Sequence, residues 1–339
     1  MLYKDKISRK RFLQICKSII AGGSILGVSG VLLRRSFIRQ QDSLEKDKLV
    51  PAYTAGLQKD NFTSPYKQVA SFSAPDRIEA FELAGENLIV ATPNNIFIYD
   101  RKGTLLNNFP IRSDLRDIAA DNEHIYLLFP MRIEVYNHDG EWLREWEACS
   151  NLSDFCSMTV AHGAVFVTDA ANKNICKFTT DGDFVKFIKS PDGFIIPSYT
   201  FGITCVDGVI YCSNSGRHQV EKYSLDGEYL GAFGKAGGTA GMFCGCCNPV
   251  HLTCTPSGDI ITSEKGIPRI SCYGVNGEFR SMLLDSHTLG GGHTAYEVKI
   301  HQDKLFVAGK NLICTFQYDR KSAEKTACSG CGKNCPLRM

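Results

Sequence analysis

Cys244, Cys246 and Cys247 place three thiols within four residues, and Cys328, Cys331 and Cys335 place three more near the end of the chain. Adjacent cysteines such as Cys246 and Cys247 do not readily bridge to each other, because a disulfide asks for a geometry that sequence neighbours rarely reach. Crowded thiolates need a soft cation or a cluster to offset their charge. Around the tail cysteines, Ser329-Gly330 and Gly332-Lys333-Asn334 would let backbone N–H groups approach cluster sulfurs. The expectation is therefore a metal site held by these six cysteines, an iron–sulfur cluster of the 4Fe–4S type. A zinc or copper site, disulfides in an oxidising compartment and redox-active thiols are the alternatives. His251, Cys149, Cys156 and His293 are candidates for further ligands or for supporting groups around the site.

The remaining chemistry is thinner. The chain has 15 cysteines. Cys205 and Cys254 fall at one repeated position and read as small core residues, as do Cys176, Cys212, Cys272 and Cys314 on interior strands. Cys149 and Cys156 could bridge to each other or serve a second site. His287 and His293 bracket a glycine-rich loop. Glu264 and Arg269 flank a turn and could form a local ion pair. A lyase or lactonase-like channel site would need His or carboxylate groups converging from several strands, and Glu79, Asp117, His251 and Glu297 are the candidates. No Ser/His/Asp arrangement, phosphate-binding loop or dinucleotide fingerprint is present.

The elements that must position these residues repeat along the chain. Asp100-Arg101-Lys102-Gly103, His138-Asp139-Gly140, Thr180-Asp181-Gly182, Leu225-Asp226-Gly227 and Val275-Asn276-Gly277 are turns, spaced glycine to glycine by 37, 42, 45 and 50 residues. Before each lies an alternating strand: Ile96–Tyr99, Ile133–Tyr136, Ile175–Phe178, Val220–Tyr223 and Ile270–Tyr273. A sixth copy, Ile313–Phe316, lacks a following turn. Period-two alternation with Asx-Gly turns specifies hairpins, and four strands per 40–50 residues is a propeller period. The reading is an all-β, six-bladed propeller over residues 65–320. Its inner strands are expected to begin near Ile78, Leu115, Cys156, Phe201, His251 and Tyr296. Tyr66–Phe72 has the outer-strand pattern and would close the ring by completing the last blade.

Val220 to Leu252 resembles an NHL-repeat blade, with Tyr223, Leu225-Asp226-Gly227, Phe233-Gly234, Gly241-Met242-Phe243 and Pro249 at the motif positions. In this copy Cys244-Gly245-Cys246-Cys247 is inserted between Phe243 and Pro249. The resemblance implies the fold and little about function, because such propellers serve as scaffolds, receptors and lyases. The tail ending Cys331-x3-Cys335-Pro336 resembles bacterial ferredoxin runs with one cysteine missing. Loops from an outer strand to the next inner strand share one face of a propeller, so Cys244–Cys247, Cys149 and Cys156 belong to one side. If Ser322–Ala327 ran as an outer strand, Cys328 would emerge on that side too, although Tyr66–Phe72 competes for the position.

Residues 1–39 carry nine Lys/Arg and one acid, a balance of +8 in a chain of net charge +2, which leaves −6 on the remainder. That mildly acidic body argues against a nucleic-acid partner. Ser8-Arg9-Lys10-Arg11-Phe12-Leu13-Gln14 resembles the twin-arginine export signal, with Lys10 in place of the second arginine. The resemblance implies a signal carried by Arg9, Lys10, Arg11, Phe12 and Leu13, which delivers folded cargo to the periplasm or cell envelope. Ser18–Leu33 suits the apolar segment of such a signal, and Arg34-Arg35 stand where a cleavage site would be, so an uncleaved helix anchoring the chain to the membrane is the alternative. The organisation expected is 1–39 signal or anchor, 40–64 linker, 65–320 propeller and 321–339 cysteine-rich tail. The function expected is electron transfer or docking to a redox partner protein. A binding or scaffold propeller recruiting an envelope protein, with structural zinc or disulfides, is the alternative, and a lyase-like propeller the third.

Overall fold

Hairpins dominate because each apolar run is short, alternates or is β-branched, and ends in a turn residue. The structure, a computed structural model, describes residues 62–289 and 295–319. The calls on the export signal, the anchor helix, His293 and the tail cysteines Cys328, Cys331 and Cys335 lie outside these residues. Twenty-four strands, β1–β24 in chain order, form six four-stranded antiparallel sheets. Among the described residues no helix is long and apolar enough to cross a membrane.

In the first blade β2 (Ala80–Ala84), β3 (Asn87–Ala91), β4 (Asn95–Asp100) and β5 (Leu105–Pro110) run from inside to outside. The other inner strands are β6 (Asp117–Ala120), β10 (Phe155–Ala161), β14 (Ile203–Val206), β18 (His251–Cys254) and β22 (Glu297–His301). Each begins within two residues of its expected position. The middle strands are buried on both faces, as in Ala164–Asp169, because each blade packs against a neighbour on either side. Six apolar clusters fill these gaps, one between each pair of neighbouring blades.

β1 (Tyr66–Ser73) pairs with β24 (Leu312–Tyr318) as the outer strand of the sixth blade. The two ends of the propeller stand where a sixth hairpin turn would be: Asp319 donates its N–H to the Pro65 carbonyl at 2.7 Å, and Lys67 pairs with Asp319. The outer position of the sixth blade is therefore filled by β1, as its pattern predicts, and Ser322–Ala327 lie outside the described residues. Edge pairing explains the choice, since β1 pairs with seven residues of β24, with one bulge between Gln68 and Ala70, and removes the exposed edge.

The turn glycines lock blade to blade. Gly140 adopts φ 81°, and a Cβ there would lie 2.5 Å from Phe109 of the preceding outer strand. Phe109 in turn stacks on Tyr136 at 4.8 Å. Gly277, at φ 87°, meets Phe233 in the same way. Each of the five turns is closed by the same pair of backbone bonds, as in Gly140 N–H to Asn137 O and Asn137 N–H to Glu141 O, both 3.0 Å.

Candidate functional site

The connection from β17 (Tyr229–Phe233) to β18 covers residues 234–250 and carries the inserted cysteines. Its path is set by polar side chains. Asn248, 1% exposed, donates to the Cys244 carbonyl at 2.6 Å and the Lys265 carbonyl at 2.8 Å, and accepts the Lys265 N–H at 2.9 Å. Arg269 forms a two-pronged pair with the fully buried Glu264, both prongs 2.8 Å, and also donates to the carbonyls of Gly238 and Met242. The expected local ion pair is thus present, but it is buried and its guanidinium ties down the cysteine loop.

Cys244 and Cys247 are buried and Cys246 is exposed. The Cys246 and Cys247 sulfurs lie 3.5 Å apart without a bond between them. Burial pushes the Cys244 thiol up, and the nearby Arg269 guanidinium opposes that rise. Cys246 is raised chiefly by its hydrogen bond with Cys247, and Lys265 pulls it back down. The sequence pointed to the three cysteines. It did not point to Asn248 or Lys265 as the groups that shape their loop.

Cys149 and Cys156 are free thiols. The Cys156 sulfur lies 3.5 Å from the Asp154 carbonyl, and the Cys176 thiol is raised by burial, then by Asp169 and by Cys149. Cys149 therefore neighbours Cys176 rather than standing alone with Cys156. Cys254 directs its sulfur toward the Cys205 carbonyl at 3.6 Å, across neighbouring inner strands. His287 lies in a short helix, α1 (Ser286–Leu289). No group of three or more His, Cys, Asp or Glu poised for a metal ion occurs among the described residues.

The central channel gathers a second set of groups. Lys299 on β22 pairs with Glu82 on β2 at 2.8 Å and with Glu297 at 3.8 Å. Glu297 also accepts the Phe81 N–H at 3.2 Å. Asp117 on β6 accepts from the Ser157 hydroxyl at 2.6 Å and from the N–H groups of Met158 at 2.9 Å and Ile118 at 2.9 Å. These carboxylates satisfy N–H groups of innermost strands, which have no further strand to pair with. Burial raises Glu297 to about 8, against Lys299 and with Asp117 and Glu82 adding to the rise. Burial lowers His251 on β18 to about 4, with Lys299 and Lys265 adding to the fall.

Of the channel candidates, Asp117, His251 and Glu297 all stand on inner strands within the electrostatic reach of Lys299; Glu79 does not, and pairs with Arg77 on the exposed approach to β2. Glu82 and Lys299 were missed. Their signal was a charge at the middle of an otherwise apolar inner strand, Ala80-Phe81-Glu82-Leu83-Ala84 and Glu297-Val298-Lys299-Ile300.

No family model and no curated protein matches this sequence. Solved structures of similar fold include virginiamycin B lyase from Staphylococcus aureus, with a TM-score of 0.53 and 13% identity over 74% of this chain and 99% of that one. A streptogramin B lyase gives 0.52 and 16%, covering 70% and 78%. A protein of unknown function from Bacteroides caccae gives 0.51 and 14%, covering 65% and 81%. At these identities the likeness is one of fold: the chain is a six-bladed β-propeller.

Proposed function

We propose that this chain is an exported or membrane-tethered propeller whose inserted loop, through Cys244, Cys246 and Cys247, joins Cys328, Cys331 and Cys335 of the tail in holding a thiolate-ligated iron–sulfur cluster, and that it serves electron transfer or docking to a redox partner in the cell envelope. The observation that carries the reading is the pair of unbridged sulfurs, Cys246 and Cys247, 3.5 Å apart in a loop tied by Asn248 and Arg269. Metal–sulfur bonds of about 2.3 Å at tetrahedral angles put neighbouring sulfurs about 3.8 Å apart, so the spacing also suits two ligands of one zinc or copper ion. The loop alone offers too few donors for a closed site, and the tail is their source. Cys328 follows Asp319 by nine positions, a reach of up to about 30 Å, whereas a six-residue strand spans about 20 Å.

A bound cluster would supply one-electron chemistry. The chain's own part is to hold the thiols. Asn248 fixes the carbonyl of Cys244, the Arg269 guanidinium beside Cys244 favours its thiolate, and Lys265 does the same for Cys246. Anaerobic purification followed by iron, sulfide, zinc and copper counts and an EPR spectrum tests the reading. Iron and sulfide in equal amounts, lost in Cys246→Ser with Cys331→Ser, supports it. Protein free of all three metals after reconstitution overturns it.

A second reading has its own observation: Glu82, Asp117, His251, Glu297 and Lys299 reach the channel from four inner strands. Burial favours the protonated form of Glu297 and the uncharged form of His251, which would give one donor and one acceptor near the same lysine. That is the equipment of a lyase, the activity named for two propellers of similar fold. Incubating the protein with virginiamycin B and following the intact antibiotic by mass spectrometry tests it. Turnover that disappears in Glu297→Gln favours the channel reading, and an unchanged antibiotic removes that substrate class.

A further inference from the structure

We propose that Cys246 and Cys247 form a thiol–disulfide exchange site that takes a disulfide as its substrate, closing on themselves and releasing two thiols. The inference rests on the reading of this loop as a working thiol site, but it requires no metal. Four observations carry it. The two sulfurs are already in contact at 3.5 Å. Cys246 is exposed to an incoming molecule while Cys247 is 6% exposed, so one thiol is placed to attack a substrate disulfide and the other to resolve the mixed disulfide. The backbone on either side is held, through Asn248 to Cys244 and to Lys265, so the pair does not drift apart. The Cys246 thiol directs its hydrogen bond to the Cys247 sulfur, the partner it would bridge to.

The chemistry balances with a disulfide of the type R–S–S–R as oxidant. The Cys246 sulfur attacks one sulfur of that disulfide, the R–S–S–R bond breaks and one R–S⁻ leaves, which picks up a proton. Cys247 then attacks the Cys246 sulfur of the mixed disulfide and expels the second R–S⁻. The loop has lost two electrons and two protons, and the substrate has become two R–SH. Neighbouring Cα atoms lie about 3.8 Å apart, shorter than the roughly 4.4–6.8 Å that disulfides prefer. A bridge between adjacent residues is therefore strained and easily reduced, which makes it a reversible redox device rather than a staple. The same feature that argues against a structural disulfide at Cys246–Cys247 argues for an exchangeable one. Where the loop also holds a metal, the dithiol is the form that can bind it, and oxidation would release it.

The test uses the full chain, reduced and stripped of metal with a chelator, then treated with oxidised glutathione. Free thiols are blocked with iodoacetamide and the tryptic peptide between Lys235 and Lys265 is weighed. The expected peptide carries two carbamidomethyl groups, on Cys244 and Cys254, and one internal disulfide between Cys246 and Cys247, whereas the reduced peptide carries four carbamidomethyl groups. Cys247→Ser should halt at a single glutathione on Cys246, and Cys246→Ser should take up none at this loop. Wild-type protein that accumulates glutathione on Cys246, or that protects Cys244 instead of Cys247, overturns the proposal. Should Cys247→Ser fail to fold, the wild-type peptide mass decides alone. Metal content measured on untreated protein reports separately, so a metal-free chain that closes its dithiol, or a metal-binding chain that does not, tells the two readings apart.

Discussion

On the hairpin rim of the ring five turns repeat one solution, while on the opposite rim the connections between blades run from six residues, 111–116, to seventeen, 234–250. The regular rim is held by apolar interlocking, a turn glycine against the outer-strand side chain of the blade before it, as Gly140 against Phe109. The long connection is held by buried polar groups, Asn248 and the Glu264–Arg269 pair. An apolar lock needs only volume and so survives repetition. A buried ion pair is weak evidence for stability, because desolvation offsets most of its attraction, yet it fixes direction. The irregular rim is where direction matters, since the exposed and buried thiols of Cys246 and Cys247 depend on it.

The sharpest way to break the comparison is to remove the polar tie. Arg269→Ala strands the Glu264 carboxylate and frees the Gly238 and Met242 carbonyls, and should cost about 3–5 kcal/mol by urea denaturation. Alkylation of Cys244 in the folded variant should speed up at the same time. A loss under about 1 kcal/mol would mean the loop is held by its own packing.

On the other rim, Gly140→Ala must both strain the positive-φ turn and displace Phe109, for about 2–3 kcal/mol in total. Gly163 sits at φ 71° with nothing within 4 Å of an added Cβ. Gly163→Ala should therefore cost only the backbone part, about 1 kcal/mol. The difference between the two melting shifts measures the blade-to-blade lock, and equal shifts would remove it.

The channel predicts a pH signature. Glu297 is raised in the fold to about 8 from an ordinary 4.5, so its contribution is fully present below pH 4.5 and is lost as pH rises through 8. His251 is lowered to about 4 from 6.5, so its contribution is present above 6.5 and is lost as pH falls through 4. The two oppose each other between pH 4.5 and 6.5, and of the two only Glu297 titrates from 6.5 to 8. Stability should fall across that upper window in the wild type. Denaturation midpoints of Glu297→Gln should fall less there, leaving what the raised carboxyls of Asp117 and Glu264 contribute.

The smallest effect is expected at the cysteines. A ring of about 250 residues buries about three-quarters of its surface and folds without a metal. Cys246→Ser with Cys331→Ser should keep its β-rich circular dichroism and lose less than about 1 kcal/mol, while losing whatever metal the protein holds. Outright unfolding would make the site a structural one.

The blades were legible because their signals are local. The Asx-Gly turns, the alternation of Ile133–Tyr136 and the apolar run of Ala164–Thr168 each act within one hairpin, and each appears where its pattern places it. The Cys244–Cys247 insertion was legible for the same reason, as an interruption between Phe243 and Pro249. The channel was half legible: Asp117, His251 and Glu297 begin their strands and were named, while Glu82 and Lys299 lie one turn of alternation further in and were read past.

Sequence alone determined the number of blades, the positions of five outer hairpin turns and the place of the cysteine insertion, because those depend on side-chain alternation and turn chemistry over a few residues. Tertiary structure decided the rest. Ring closure, which the outer-strand pattern of Tyr66–Phe72 suggests, is made by pairing across more than 240 positions of sequence, Tyr66 with Tyr318. Only packing could bring Lys299 to Glu82, Arg269 under the cysteine loop and Cys246 against Cys247 with one thiol exposed and one buried. The first of these joins blades distant in sequence, and the others depend on how the long connection between two neighbouring blades folds back onto them.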